Sequence, residues 1–231
     1  APDRDACPAS TRALTRHLTP MCNLYRLDAP ANQIAHIFAA DAGADPWAGG
    51  YVAPGKFAPV IVMGKEGRRM VPRQWGVPPP ANAVADGRYR PVTNVRNLTS
   101  PFWIGTLRHT EFRCLVPVTR FQEWGAGDAQ PGMGTGRSPR SQHWFSIPSE
   151  PIFAFAGIWR DSEVPSFAFL TTDPNSLVGA VHPKAMPVIL HPEDYDRWLT
   201  EDWKEAQRLV APFPSQLMLE DAPPRPQPRL I

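Results

Sequence analysis

Twenty-nine prolines among 231 residues constrain this chain more than any other feature. Each proline fixes φ and removes a backbone donor, and the usual share is only about 5%. Long helices are therefore disfavoured, and short strands joined by turns are left. The apolar content of 42% is enough for a buried core. Length allows one large domain or two small ones.

Lys and Arg total 24 against 22 Asp and Glu, a formal charge of +2. A nucleic-acid partner would therefore have to meet a local basic surface, since net charge offers it nothing. The cysteines, Cys7, Cys22 and Cys114, can build neither a disulfide framework nor a paired-cysteine zinc site. A reducing compartment fits, and no metal or cofactor is expected. The segment up to Pro20 contains Pro2, Pro8 and Pro20, with charges at Asp3, Arg4, Asp5 and Arg12. It lacks the apolar run of about 7–15 residues that a secretory signal needs. It reads as a disordered arm or a removable leader, and the protein as cytoplasmic.

Further along, Ile34, Ile37 and Phe38 fall on one face at helical spacing, predicting a helix from near Asn32 to Gly43. Residues 58–63 and 69–75, joined by a turn from Gly64 to Gly67, predict a hairpin. A loop through Pro78, Pro79, Pro80 and Gly87 follows. Residues 91–96 return to an extended pattern that puts Asn94 and Arg96 on one side. Residues 112–118 and 120–124 read as a strand pair with Phe121 and Glu123 sharing a face. Gly125 to Ser141 has no periodicity and reads as a mobile insertion. Three strands are expected over 143–147, 152–159 and 166–172. Asp173-Pro174 is expected to open a short helix, and two more follow, from about Pro192 through Leu199 and on through Leu209. The tail from Ala222, with four prolines in ten residues, is expected to be disordered.

The residue of greatest chemical interest is Cys22. Met21-Cys22 looks like a translation start inside a longer chain, and a chain beginning at Cys22 carries a free amine, of pKa about 8, beside a thiol. Such a 1,2-aminothiol condenses with an aldehyde and closes to a five-membered ring. The plainer alternative, a small apolar core residue, stays open here; Cys114, between strand residues, reads as inert core. Glu123 is either an exposed strand residue or, in a pocket, a proton donor or acceptor whose pKa desolvation raises. His182 either caps the turn before Pro183 or shuttles a proton. Arg73, Arg96, Arg113, Arg160 and Lys184, interspersed with Trp75, Trp124 and Trp159, supply the cations and aromatic faces that single-stranded nucleic acid favours. The tryptophans read equally well as core.

Taken in order, Met21-Cys22-Asn23-Leu24-Tyr25, Tyr51-Val52-Ala53-Pro54, Gln74-Trp75-Gly76-Val77-Pro78, Thr93-Asn94-Val95-Arg96, Phe112 through Pro117, Phe121-Gln122-Glu123-Trp124, Ala156-Gly157-Ile158-Trp159 and His182-Pro183-Lys184-Ala185-Met186-Pro187 resemble the SRAP family. These are the SOS response-associated peptidases that act as abasic-site processing proteins. The resemblance implies one α+β domain on an antiparallel, barrel-like sheet with a few short flanking helices and a groove for single-stranded DNA. It implies that Cys22 forms a thiazolidine with the aldehyde of an abasic site. The family's asparagine and arginine fall on Asn94 and Arg96, its glutamate on Glu123, its histidine on His182, and its tryptophans on Trp75 and Trp124. Asn23-Leu24 stands where Gly-Arg is frequent, Asn97 where a glutamate often follows, and Lys184-Ala185 where Asp-Arg precedes Met-Pro.

The resulting expectation is a leader over 1–21, a SRAP-like domain over 22–221 and a proline-rich tail over 222–231. The protein is expected to act as a monomer, away from membranes, on single-stranded DNA containing abasic sites. Cys22, Asn94, Glu123 and His182 would carry the chemistry, while Arg73, Trp75, Arg96, Arg113, Trp124, Arg160 and Lys184 hold the strand. Self-removal of the leader by the same site is part of this reading. The alternatives are a non-covalent strand-binding module with Cys22 blocked, and a cysteine peptidase using Cys22 with His182.

Overall fold

The computed structural model describes residues 23–80, 90–125 and 141–221. The leader and Cys22, residues 81–89 of the loop through Gly87, most of the Gly125–Ser141 insertion and the tail from Ala222 lie outside these residues. The strands are β1 (Tyr25–Leu27), β2 (Ala40–Asp41), β3 (Gly50–Val52), β4 (Phe57–Gly64), β5 (Gly67–Trp75), β6 (Asn94–Val95), β7 (Arg113–Val118) and β8 (Arg120–Trp124). They continue with β9 (Gln142–Ser146), β10 (Phe153–Asp161), β11 (Pro165–Thr172), β12 (Met186–Pro187), β13 (Ile189–Leu190) and β14 (Leu219–Asp221). Among the described residues, five short α-helices accompany them: α1 (Ala31–Ile37), α2 (Ile104–Arg108), α3 (Ser176–Val181), α4 (Tyr195–Thr200) and α5 (Trp203–Ala206). This is the expected single α+β domain.

The sheet is not a clean barrel. Strands β5, β4, β7, β10 and β11 pair in that order, and β11 then pairs with β5 through Ser166 opposite Gln74 and Phe167 opposite Trp75, closing a ring. That closing pair is parallel, as are β2 with β5 and β6 with β11, whereas the other pairs are antiparallel. A second sheet, in the order β14-β9-β8-β1-β3, lies against the ring. The expected 58–75 hairpin is present, from Phe57 opposite Gln74 to Gly64 opposite Gly67. Gly76, just after it, has φ 120°, and a Cβ there would come within 2.7 Å of Pro91. Only glycine meets both demands.

Three expectations need correction. β7 and β8 do not pair with each other: β7 pairs with β10 and β4, and β8 with β1 and β9. The chain changes sheet at Thr119, whose N–H and hydroxyl both donate to the Arg26 carbonyl. Helix α1 is shorter than expected, because Ala39 adopts φ 47° and the chain turns into β2. Ile37 is consequently 44% exposed, while Ile34 and Phe38 are buried. Finally, α3 is capped by Asn175, whose Oδ1 accepts from the Val178 N–H at 2.9 Å; Asp173-Pro174 lies outside it.

An aromatic layer joins the two sheets. Tyr25 of the second sheet packs on Trp75 of the ring with centroids 5.3 Å apart, and Phe121 on Phe155 at 5.7 Å. Phe155 meets Phe169 at 4.8 Å and Trp75 meets Phe169 at 5.2 Å. Each buried ring contributes about 1.5–3 kcal/mol and each ring pair about 0.5–1.5 more. Surface ion pairs contribute about 0–1 each, so this layer dominates the cohesion of the sheets. Among the described residues, no helix is long and apolar enough to cross a membrane.

Candidate active site

β1 runs antiparallel to β8 with Tyr25 opposite Phe121. The residues before Tyr25 continue along the same strand: the Gln122 N–H donates to the Leu24 carbonyl at 3.0 Å, and the Trp124 indole N–H to Asn23 Oδ1 at 3.4 Å. Asn23 is peptide-bonded to Cys22, itself outside the described residues. The start of β1 is thus tied to the end of β8, beside Glu123.

Glu123 is 1% exposed. It follows Phe121 by two residues, so both side chains leave β8 on its inner face. His182, 4% exposed, comes from the end of α3, where Pro183 disfavours further helical turns. Its Nδ1 is 3.0 Å from the Ala185 carbonyl and 3.6 Å from Glu123 Oε2. A carbonyl can only accept, so Nδ1 carries the proton and donates to Ala185. In the neutral ring Nε2 is then an acceptor, and it is buried with no hydrogen-bond partner. The separation from Glu123 exceeds hydrogen-bond length, so the two groups are neighbours without sharing a hydrogen bond.

Asn94 lies in β6, opposite Phe169 of β11. Its Nδ2 donates to Thr93 Oγ1 at 3.1 Å, leaving Oδ1 buried and without a hydrogen-bond partner. The C-terminal half of β11 carries both β6, at Phe169 and Leu170, and β12, at Thr171 and Thr172. That half therefore brings in Asn94 and the segment following His182. Arg96 is exposed and ion-paired with the exposed Asp173. Trp124 is half-buried and Lys184 exposed.

Several of the expected strand-binding residues are engaged with other parts of the fold. Trp75 is 0% exposed, with its N–H donated to the Thr93 carbonyl at 3.1 Å, and belongs to the aromatic layer. Arg113 is also 0% exposed. It donates to the carbonyls of Leu107, Trp198 and Glu201 at 3.0, 3.1 and 2.6 Å, holding the ends of α2 and α4, and burial lowers its pKa. Arg160 bonds to Thr106 Oγ1 and the Phe102 carbonyl beneath the rings of Phe102 and Trp103, and burial lowers its pKa too. Arg73 is paired with Asp161 at 3.1 Å and lies over Trp159 at 4.7 Å. Cys114 is buried as expected, and desolvation raises its thiol pKa.

Sequence reasoning missed two supports of the site, Asn23 as the acceptor for Trp124 and the Ala185 carbonyl as the group that sets the His182 tautomer. The first lies beyond the usual motif comparison because this chain has Asn where Gly is frequent. The second is a backbone atom, which side-chain identity does not mark.

The fold and site together define an α+β domain with a buried carboxylate–imidazole pair beside the start of its first strand. The chain matches the model of the SRAP family, SOS response associated peptidase, over residues 21–222, and it belongs to that family. Its fold is similar to a protein of Bacteroides thetaiotaomicron at TM-score 0.69 and 21% identity, covering 86% of this chain and 90% of that one. It is also similar to a protein of Bordetella bronchiseptica at TM-score 0.70 and 19% identity, covering 86% and 98%. A phage-related protein of Bordetella bronchiseptica matches at TM-score 0.67 and 20% identity, covering 89% and 95%. No curated protein matches the chain in sequence.

Proposed function

We propose that this SRAP protein binds single-stranded DNA and traps abasic sites covalently through Cys22. The Cys22 amine adds to the ring-opened sugar aldehyde and loses water to give an imine. The thiol then adds across the C=N bond, closing a thiazolidine. The observation that carries this reading is the buried Glu123–His182 pair beside Asn23, the residue bonded to Cys22. Family membership supports it.

The roles follow from the donors and acceptors available. Asn94 Oδ1, an acceptor without a partner, suits the N–H groups of the Cys22 amine. Glu123 handles protons at the amine and the sugar, and His182 receives a proton at Nε2 when the sugar ring opens. Arg96 takes a phosphate beside the lesion, exchanging Asp173 for it. Trp124 packs against a flanking base, while Lys184 adds charge at the rim. The working unit is 22–221.

Residues before Cys22 must leave first, because an acylated nitrogen has no basic lone pair for an imine. The thiol attacks the Met21 carbonyl, the amide C–N bond breaks as the nitrogen takes a proton, and water hydrolyses the resulting thioester. Adduct yield on abasic single-stranded DNA, with intact masses before and after, is the test. A chain beginning at Cys22 should yield a stable adduct, and one with Met21 locked in place only reversible binding. A stable adduct on the locked chain would overturn the amine mechanism; a mobility shift without adduct from both would favour a non-covalent binding module. Cleavage of added peptides without an adduct would favour a peptidase.

A further inference from the structure

A second chain of hydrogen-bonded side chains lies one strand from Glu123. His143 in β9 is directly opposite Glu123 in the register. Its Nδ1 is 2.6 Å from Glu220 Oε1 of β14, and its Nε2 is 2.7 Å from Ser141 Oγ. With Glu220 as a carboxylate, Nδ1 carries the proton and donates to it. Nε2 of the neutral ring is left as an acceptor, and the Ser141 hydroxyl donates to it. The hydroxyl proton is thus aimed at a base that a third group holds in orientation, the arrangement that activates a serine nucleophile.

Two further features fit that use. A Cβ on residue 125 would lie 2.5 Å from Ser141 Oγ and 2.7 Å from His143 Nε2. Gly125 therefore leaves room for a contact that a side chain there would crowd. Anchoring β14 to β9 requires only His143 and Glu220, so anchoring does not account for Ser141. Ser141 faces solvent, with the side chains of His143 and Glu220 25% and 41% exposed.

We propose that Ser141, His143 and Glu220 form a second nucleophilic centre, with Ser141 rather than Cys22 as its nucleophile, that hydrolyses unhindered carboxylic esters. Ser141 Oγ attacks the ester carbonyl carbon and passes its proton to His143 Nε2. The imidazolium, held at Nδ1 by Glu220, returns that proton to the departing alkoxide as the C–O bond breaks. Water, deprotonated by the same Nε2, then attacks the acyl-serine, releasing the acid and restoring the hydroxyl. The open, solvent-facing seat suits esters better than peptides, whose amine leaving group needs more stabilisation in the transition state.

The test uses the full chain and a phosphonyl fluoride, which labels activated serines with loss of fluoride, and locates the adduct by peptide mass spectrometry. Ser141 should be labelled roughly 10-fold or more faster than the exposed Ser149, which lacks a charge-assisted base. His143→Gln should abolish the excess. Glu220→Gln keeps the shape of the side chain and removes its charge, so it should slow labelling at temperatures well below its melting point. Labelling of Ser141 at the Ser149 rate, or a Ser141 rate unchanged by both His143→Gln and Glu220→Gln, would overturn the proposal.

Discussion

His182 Nδ1 lies 3.6 Å from Glu123 Oε2, yet its proton goes to the Ala185 carbonyl, 3.0 Å away. The two buried groups are therefore neighbours that do not share a hydrogen bond. The other ring nitrogen of His182, Nε2, is buried without a hydrogen-bond partner.

This arrangement predicts separable effects. Glu123→Gln should slow adduct formation by roughly 10²-fold or more, the scale of general acid–base catalysis, with DNA affinity retained. His182→Gln should do the same, and the double variant should fall short of the product of the two, as expected for residues in contact. Single-turnover adduct rates on abasic strands check this. Full additivity would mean that the pair does not work as one unit.

Arg96 and Asp173 should show opposite signs. Arg96→Ala would remove the proposed phosphate contact and should weaken binding to intact and abasic strands alike, reducing the salt slope by about 0.7 for a single strand. Asp173→Asn frees the guanidinium and removes a repelling charge, so it should tighten binding. Titrations at several salt concentrations give both slopes; weaker binding by Asp173→Asn would mean that the carboxylate holds Arg96 in its useful position.

Arg113 should behave as part of the core. Arg113→Ala leaves three carbonyls without this donor and opens a cavity under α4, at a cost on the order of 3–5 kcal/mol. Denaturant melts should show that loss. DNA affinity per folded molecule should be unchanged, and a selective affinity loss at unchanged stability would return Arg113 to the strand-binding surface.

The two tryptophans of the family motifs should part in the same way. Trp75→Ala removes the ring that joins Tyr25 to Phe169 and should cost about 3–5 kcal/mol. Trp124→Ala, at a half-buried position, should cost less stability and more affinity for DNA. Paired melting and binding curves on the two variants make the comparison.

The longer strands could be read from residues because alternation and turn chemistry are local, as in the 57–75 hairpin and the three strands from Gln142 to Thr172. The pairing of β7 and β8 was misread for the same reason. Neighbouring strands usually pair, and nothing local reveals that Thr119 carries the chain from one sheet to the other. Glu123 and His182 were legible as candidates because a carboxylate on an apolar strand and a histidine before proline are unusual. The burial of Arg113 was not legible, because a charged residue suggests a surface, whereas here backbone carbonyls accept its guanidinium inside the fold. Trp75 was ambiguous until its neighbours were known, since a tryptophan serves equally as core or as platform.

The parallel seam between β5 and β11 has a kinetic consequence. It brings Gln74 and Trp75 against Ser166 and Phe167, residues on opposite sides of β6, β7, β8, β9 and β10 in the chain. Loop closure over such a span yields no local reward while it forms, and contacts of this separation slow folding. The 57–75 hairpin can assemble early by itself, but the ring can close only after β11 has been synthesised. Until then the β5 edge at Trp75 is open, so a nascent or truncated chain ending before Pro165 presents an unpaired edge to its neighbours.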